Sequence, residues 1–93
     1  MEEKFISAWL RNREEAAALG IRLRPVEPAE ALKNTHRAMT GNRVSDGFDA
    51  LARKRRLDLS VEALVVDRRF TALFSDDEAN VALVRLLDAG YYL

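Results

Sequence analysis

The chain has 93 residues, of which 48% are hydrophobic, and its 15 basic side chains balance its 15 acidic ones. This length predicts a single domain over residues 1–93. The balanced charge argues against a protein whose whole surface attracts nucleic acid, and against an acidic mimic of DNA. Because the sequence has no cysteine, disulfides, thiol nucleophiles and thiolate metal sites are excluded, and a reducing compartment is favoured.

The start of the chain and its hydropathy indicate a soluble, cytoplasmic protein. Acidic residues follow Met1 directly, whereas a signal peptide has a basic start and an apolar run. No apolar run approaches the roughly 20 residues that cross a bilayer. We therefore expect no membrane partner.

Apolar residues at helical spacing predict a first helix over residues 2–19, closed by Gly20 as a left-handed C-cap. The apolar face of this helix carries Phe5, Ile6, Trp9 and Leu10. Residues 21–26 then alternate apolar and basic side chains, which is typical of an extended stretch. The flanking prolines favour an ordered linker or a lone edge strand there, since proline cannot donate to a central ladder.

Two helices are predicted in the middle of the chain. Pro28 is well placed as the first residue of the second helix, which we expect to run to about Met39. The third helix is predicted to be capped by Ser45 or Asp46. It finishes in the cations of residues 53–56, which complement the helix dipole.

The last two helices have clearer start signals. Residues 61–66 form a short apolar stretch for which helix and buried strand compete, and Ser60 as an N-cap favours helix. Ser75 and Glu78 have the spacing of a capping box, and the helix that they begin is expected to end at Gly90. The predicted buried stripe of this helix comprises Ala79, Ala82, Leu83, Leu86 and Leu87.

Together these segments predict an all-α fold. The expected architecture is a compact orthogonal bundle of about five short helices, with one short extended segment near residues 21–26. The helix lengths are too uneven for a regular four-helix bundle.

The sequence contains little that points to catalysis. His36 is the only histidine, and as a general base it would need an orienting partner, for which Glu30 and Thr35 are the nearest candidates. A half-buried structural histidine is the favoured interpretation. The acidic residues 76–78 are consecutive on a helix, point about 100° apart and do not converge on one ion. We therefore expect no enzyme activity, no cofactor and no metal site.

The best local argument for nucleic acid is the basic run Arg53, Lys54, Arg55 and Arg56. Adjacent cations on a helix splay around its circumference, so a solvated helix end is the favoured interpretation. A helix-turn-helix is also poorly supported. Its recognition helix would be residues 61–66, which are apolar and acidic and offer no Arg, Asn or Gln to base edges. A small nucleic-acid-binding regulator remains the alternative function.

Aromatic residues near the two ends of the chain suggest a protein-binding surface. They are Phe5 and Trp9 in the first helix, and Tyr91 and Tyr92 at the C-terminal end. Aromatic side chains are enriched in interface hot spots. The competing interpretation is that these residues close a small core against each other.

The second half of the sequence, from Ser45 through the basic run to Tyr91, resembles small bacterial and phage proteins in its texture. This resemblance implies a genomic setting and carries no functional residue. The sequence therefore predicts a non-catalytic protein-interaction or regulatory module, homodimeric or otherwise homo-oligomeric. The expected partner is a larger bacterial complex that a phage or mobile-element protein would modulate.

Overall fold

A computed structural model describes residues 1–92, and over that range the chain is all-α. The five α-helices are α1 (Glu2–Ala18), α2 (Ala31–Thr40), α3 (Phe48–Arg53), α4 (Val61–Val65) and α5 (Asp76–Asp88). Short 3-10 segments precede three of them, at Pro28–Glu30, Leu57–Leu59 and Arg68–Leu73. The predicted compact all-α bundle of about five short helices is confirmed. Leu93, with which the predicted single domain ends, lies outside the described residues.

The stretch between α1 and α2 is a linker. No strand occurs within residues 1–92, so residues 21–26 are extended without joining a sheet. The linker is tied to the body of the protein at Arg24, whose backbone N–H donates to Asp46 Oδ2 at 2.7 Å. Ile21 is buried at its start.

Three helices end in the same left-handed turn. Gly20 and Gly90 occupy the positive-φ position after α1 and α5, with φ of 83° and 78°, and Arg55 takes that position after α3 with φ of 58°. In each turn the next amide donates to the carbonyl five residues earlier, at 2.9–3.0 Å. This is the Schellman arrangement, which normally requires glycine because a side chain strains the left-handed backbone.

The N-terminal caps of α4 and α5 are those that the sequence predicts. Ser60 Oγ accepts from the Ala63 amide at 3.2 Å. Ser75 Oγ accepts from the Glu78 amide at 3.1 Å, and Glu78 Oε1 accepts in return from the Ser75 amide at 2.8 Å. Both caps satisfy amides that would otherwise lack partners at a helix start.

The predicted cap of α3 is wrong. The N-cap is Gly47, which has no side chain to offer. Ser45 and Asp46 are turned towards other elements, since Ser45 bonds to Glu62 and Asp46 accepts from the amide of Arg24. Longer-range partners thus take the polar groups that local sequence assigns to the helix end.

The core is built around α1 and the short α4. Phe5 is fully buried and meets the edges of Phe70 and Phe74, with ring centroids 5.4 and 5.7 Å away. Leu64 of α4 packs in this aromatic cluster, while Val65 packs with the buried residues of α2 and α5. A third cluster joins the end of α1 to α3 and α5 through Ala16, Ile21, Phe48, Leu51, Leu57, Leu59 and Leu86.

The buried stripe of α5 is narrower than the sequence predicts. Ala82 and Leu86 are fully buried, but Leu83 and Leu87 are 37% and 52% exposed. α5 packs mainly on α4, with α2 beside it. Because α4 has only 5 residues, it covers a thin strip of its neighbour and leaves the rest of the apolar face of α5 uncovered.

Candidate functional site

An open cleft of about 370 Å³ lies where α1, the 21–27 linker, α2 and the loop between α2 and α3 meet. We call it the arginine cleft, because four arginines line it: Arg13, Arg24, Arg37 and Arg43. Each comes from a different one of these four elements. The sequence analysis did not find this site, since the four residues are spread over 31 positions of sequence and no local run marks them.

Local contacts fix one side of the arginine cleft. Trp9 and Arg13 are one helical turn apart on α1, and the Arg13 guanidinium lies 4.7 Å from the centre of the Trp9 ring. Arg13 also donates to the carbonyl of Arg24. Burial lowers the pKa of Arg13, and nearby Asp46 opposes that change. The cation–π contact and the hydrogen bond hold the guanidinium at the wall of the cleft.

The arginine cleft has more positive charge than it can neutralise itself. Asp46 is the one acidic residue among the described residues that line it. Within residues 1–92, none of its four arginines has a carboxylate within salt-bridge distance. By contrast, Arg69 and Arg85 each have one such partner and Arg56 has two.

A buried ionic network positions the loop that forms the far wall of the cleft. Glu62 of α4 is completely buried. Its carboxylate accepts from the Ser45 amide at 2.9 Å and from the Ser45 hydroxyl at 2.5 Å. Arg85 of α5 donates to the same carboxylate at 3.2 Å. Glu62 therefore links the loop to the core.

Arg85 fixes the other end of that loop. Its guanidinium donates to the carbonyls of Ala38 at 3.1 Å and Gly41 at 2.9 Å, where α2 ends. The loop that carries Arg43 is thus held at both ends. The sequence did contain a signal for this network: Glu62 is a lone acid in the apolar stretch of α4, and Arg85 is the lone cation of α5.

The uncovered side of α5 is a second candidate site. Its three large aliphatic side chains are Leu83, Val84 and Leu87, exposed to 37%, 55% and 52%. Their i, i+1 and i+4 spacing places them on one face, which we call the α5 face. A groove of about 360 Å³ adjoins it, lined by Phe74, Ala79 and Tyr92 among others.

Two of the four aromatic residues that the sequence analysis assigned to a partner surface are core residues. Phe5 and Trp9 are 0% and 2% exposed, so the interpretation of these two as a docking surface is corrected. They close the core because α1 turns its apolar face towards α2 and α4. Tyr91 is half-buried and Tyr92 is 53% exposed, with ring centroids 4.8 Å apart. Their role in binding stays a prediction.

The basic run does not form a basic helix end. α3 ends at Arg53, and Arg55 adopts the left-handed turn that follows it. Arg56 is engaged by Asp58 at 3.0 Å and by Glu15 at 3.2 Å. Arg53, Lys54 and Arg55 are exposed. The use of these three residues in nucleic-acid binding stays a prediction. Arg56 is already paired with two carboxylates.

The one histidine, on α2, bonds to the start of α5. His36 Nδ1 lies 2.5 Å from Glu78 Oε2, and its ring packs on Phe74 with centroids 5.0 Å apart. Its partner is thus Glu78 rather than Glu30 or Thr35. Burial, the largest single influence, raises the pKa of Glu78, but the bonds with His36 and Ser75 outweigh it and the pKa is lowered.

The acidic first turn of α5 serves the helix start. Glu78 completes the capping box, while Asp76 and Asp77 are exposed. Among the described residues, no group of three or more histidine, aspartate or glutamate side chains is placed to share a metal ion. None of the helices in that range has the length and apolar character to span a membrane.

No protein-family model matches the chain, and no curated protein or solved structure is significantly similar to it.

Proposed function

We propose that this chain is a non-catalytic protein-interaction module that self-associates through the α5 face. The observation that carries the proposal is the exposure of three large aliphatic side chains, Leu83, Val84 and Leu87, on one side of one helix. Contiguous apolar surface of this kind on a small domain marks an interaction site. Tyr92 and the adjoining groove extend the same surface.

A second copy of the chain is the occupant that the α5 face fits best. Within α5, the residues between Val84 and Leu87 are turned inward, Arg85 to Glu62 and Leu86 to the core. The three side chains that define the face are themselves uncharged, so none of them needs a complementary charge on a partner. Two such faces pack antiparallel about a twofold axis, with each helix meeting the same surface of the other.

The chain exposes more surface than a compact monomer of its mass is expected to expose. The chain exposes 6292 Å², whereas a folded monomer of 10.5 kDa is expected to expose about 5,400 Å². Its radius of gyration is 12.1 Å, close to the ~12.3 Å of a compact chain of this length. The excess of exposed area therefore reflects clefts and protruding side chains rather than an elongated shape.

We also propose that the module is not an enzyme. The single histidine is engaged in the capping box of α5 and rests on Phe74, an arrangement that a structural role explains in full. We propose a cytoplasmic location, since a small cysteine-free chain is typical of a reducing compartment. The dimer would act by occupying a surface on a larger protein complex, in a bacterial or phage setting.

The oligomeric state tests the proposal. We expect the wild-type chain to dimerise with a Kd below about 100 µM, which corresponds to roughly −5.5 kcal/mol. Leu87→Lys should make it monomeric, because a lysine from each copy would be desolvated in the interface. Leu10→Lys is the matched control: Leu10 is also exposed, to 38%, but lies on α1. A wild type that is monomeric at that concentration would overturn the proposal.

A further inference from the structure

We propose that the arginine cleft binds a small molecule that carries two adjacent phosphate groups. The proposal is independent of the α5 face. It rests on four arginines from separate elements that line one cavity of about 370 Å³ and have no carboxylate partner among residues 1–92. A volume of this size lies within the ~300–1,000 Å³ of small-ligand sites.

The charge of the cleft selects the class of ligand. A guanidinium presents paired N–H donors that match the oxygens of a carboxylate or a phosphate. One carboxylate pairs with one guanidinium, whereas the cleft provides four guanidinium groups, from Arg13, Arg24, Arg37 and Arg43. Asp46, the only acid in the described lining, offsets one of the four positive charges, so the remaining charge is available to a ligand. A diphosphate supplies both the charge and the oxygens that the four arginines require.

The cleft is organised before any ligand arrives. Arg13 is held against Trp9 and bonds to the Arg24 carbonyl. The loop that carries Arg43 is fixed to the buried pair Glu62 and Arg85. Binding therefore needs the side chains of Arg37 and Arg43 to be ordered, but no rearrangement of the backbone.

A nucleic-acid strand fits the cleft less well than a small molecule. Proteins that hold single strands stack the bases on exposed aromatic rings. The only aromatic ring of the described lining, Trp9, is 2% exposed and is covered on one side by Arg13. The cleft therefore offers charge without a stacking platform, which suits phosphate groups rather than bases.

The test is a titration with inorganic pyrophosphate at low ionic strength, followed by the fluorescence of Trp9, the only tryptophan. A nucleoside diphosphate, orthophosphate and an oligouridylate are titrated in parallel. The cleft variant is Arg37→Gln with Arg43→Gln. The matched control is Arg53→Gln with Lys54→Gln, which removes the same charge from an exposed site outside the cleft. Arg37→Lys keeps the positive charge but removes the paired N–H donors of the guanidinium.

We expect saturable binding of pyrophosphate and of the nucleoside diphosphate, each at least ~10-fold tighter than that of orthophosphate. The cleft variant should weaken both by about tenfold or more, Arg37→Lys by less, and the control by under about twofold. Far-UV circular dichroism should confirm that the variants fold. Absence of binding, equal losses in the cleft variant and the control, or tighter cleft-dependent binding of the oligouridylate would each overturn the proposal.

Discussion

Two regions of this molecule use the same side chain in opposite ways. In the interior, Arg85 donates to the buried carboxylate of Glu62 and to two backbone carbonyls. At the surface, Arg37 and Arg43 line a cleft, and neither has a carboxylate partner in the described part of the chain. The comparison separates charges that stabilise the fold from charges that are available for binding.

The difference follows from the cost of burying charge. A charged group that leaves water must be paired and fully hydrogen-bonded, or the fold loses several kcal/mol. Every buried side-chain nitrogen and oxygen in the described part of the chain has a partner. The two candidate sites, the arginine cleft and the apolar side chains of the α5 face, both lie at the surface.

Removing Arg85 should give the largest loss of stability. Arg85→Met leaves the completely buried Glu62 carboxylate without its cation, which costs about 3–5 kcal/mol. Chemical denaturation measures the change in the free energy of unfolding. The surface counterpart Arg37→Met should change it by less than about 0.5 kcal/mol. Similar losses for the two variants would remove the distinction between interior and cleft arginines.

The loop between these regions should respond strongly to an added methyl group at Gly47. Gly47 has φ of +80°, and a Cβ there would lie 2.3 Å from Leu23 Cδ2. We expect Gly47→Ala to cost about 2–3 kcal/mol, from left-handed strain and displacement of Leu23.

Gly20 provides the matched control for Gly47. It has a similar φ of +83° but no neighbouring atom within 4 Å of an added Cβ. Gly20→Ala should therefore cost only the backbone strain, about 1–2 kcal/mol. Equal losses at the two positions would show that Leu23 yields freely.

Glu78 lies between the buried, paired groups and the exposed, unpaired ones, because it is partly exposed but bonds to His36 and Ser75. Because its pKa is lowered in the folded state, its ionised form adds stability at neutral pH, and this is lost as the pH falls through the folded pKa. Glu78→Gln should cost about 1 kcal/mol at pH ~7. The Tm of the variant should also fall less than that of the wild type between pH ~6 and ~3. Parallel acid profiles would contradict this role.

The smallest effect, and the only gain, is expected at Arg55. This residue adopts φ of 58° after α3, where α1 and α5 have glycine. Arg55→Gly should stabilise the fold by about 0.5–1 kcal/mol, because glycine relieves the left-handed strain. Thermal unfolding measures the gain. A loss would show that the Arg55 side chain makes a contribution greater than the strain.

The sequence predicted the parts of the fold that depend on local chemistry. The helix starts at Ser60 and Ser75 were readable because a cap and its amide lie within three residues. The cap of α3 was not, since Ser45 and Asp46 bond to groups 17 and 22 positions away.

The candidate sites were less accessible to prediction. Periodicity placed Leu83 and Leu87 on an apolar stripe, but only the shortness of α4 decides that they are uncovered. The basic run is visible in the sequence because its four residues are adjacent, whereas the arginine cleft is assembled only by the tertiary structure. A dispersed set of arginines leaves no local pattern, so its convergence could not be deduced from spacing.

The most direct test of the central claim is sedimentation equilibrium of the wild type and Leu87→Lys. The claim is that unpartnered surface, above all the α5 face, carries the function of this chain. We predict that the wild type follows a monomer–dimer equilibrium between the 10.5 kDa of one chain and twice that mass, with a Kd below about 100 µM, and that Leu87→Lys has the mass of one chain, with Leu10→Lys dimerising like the wild type. A wild type with the mass of one chain, or a Leu87→Lys variant that remains dimeric, would contradict the claim.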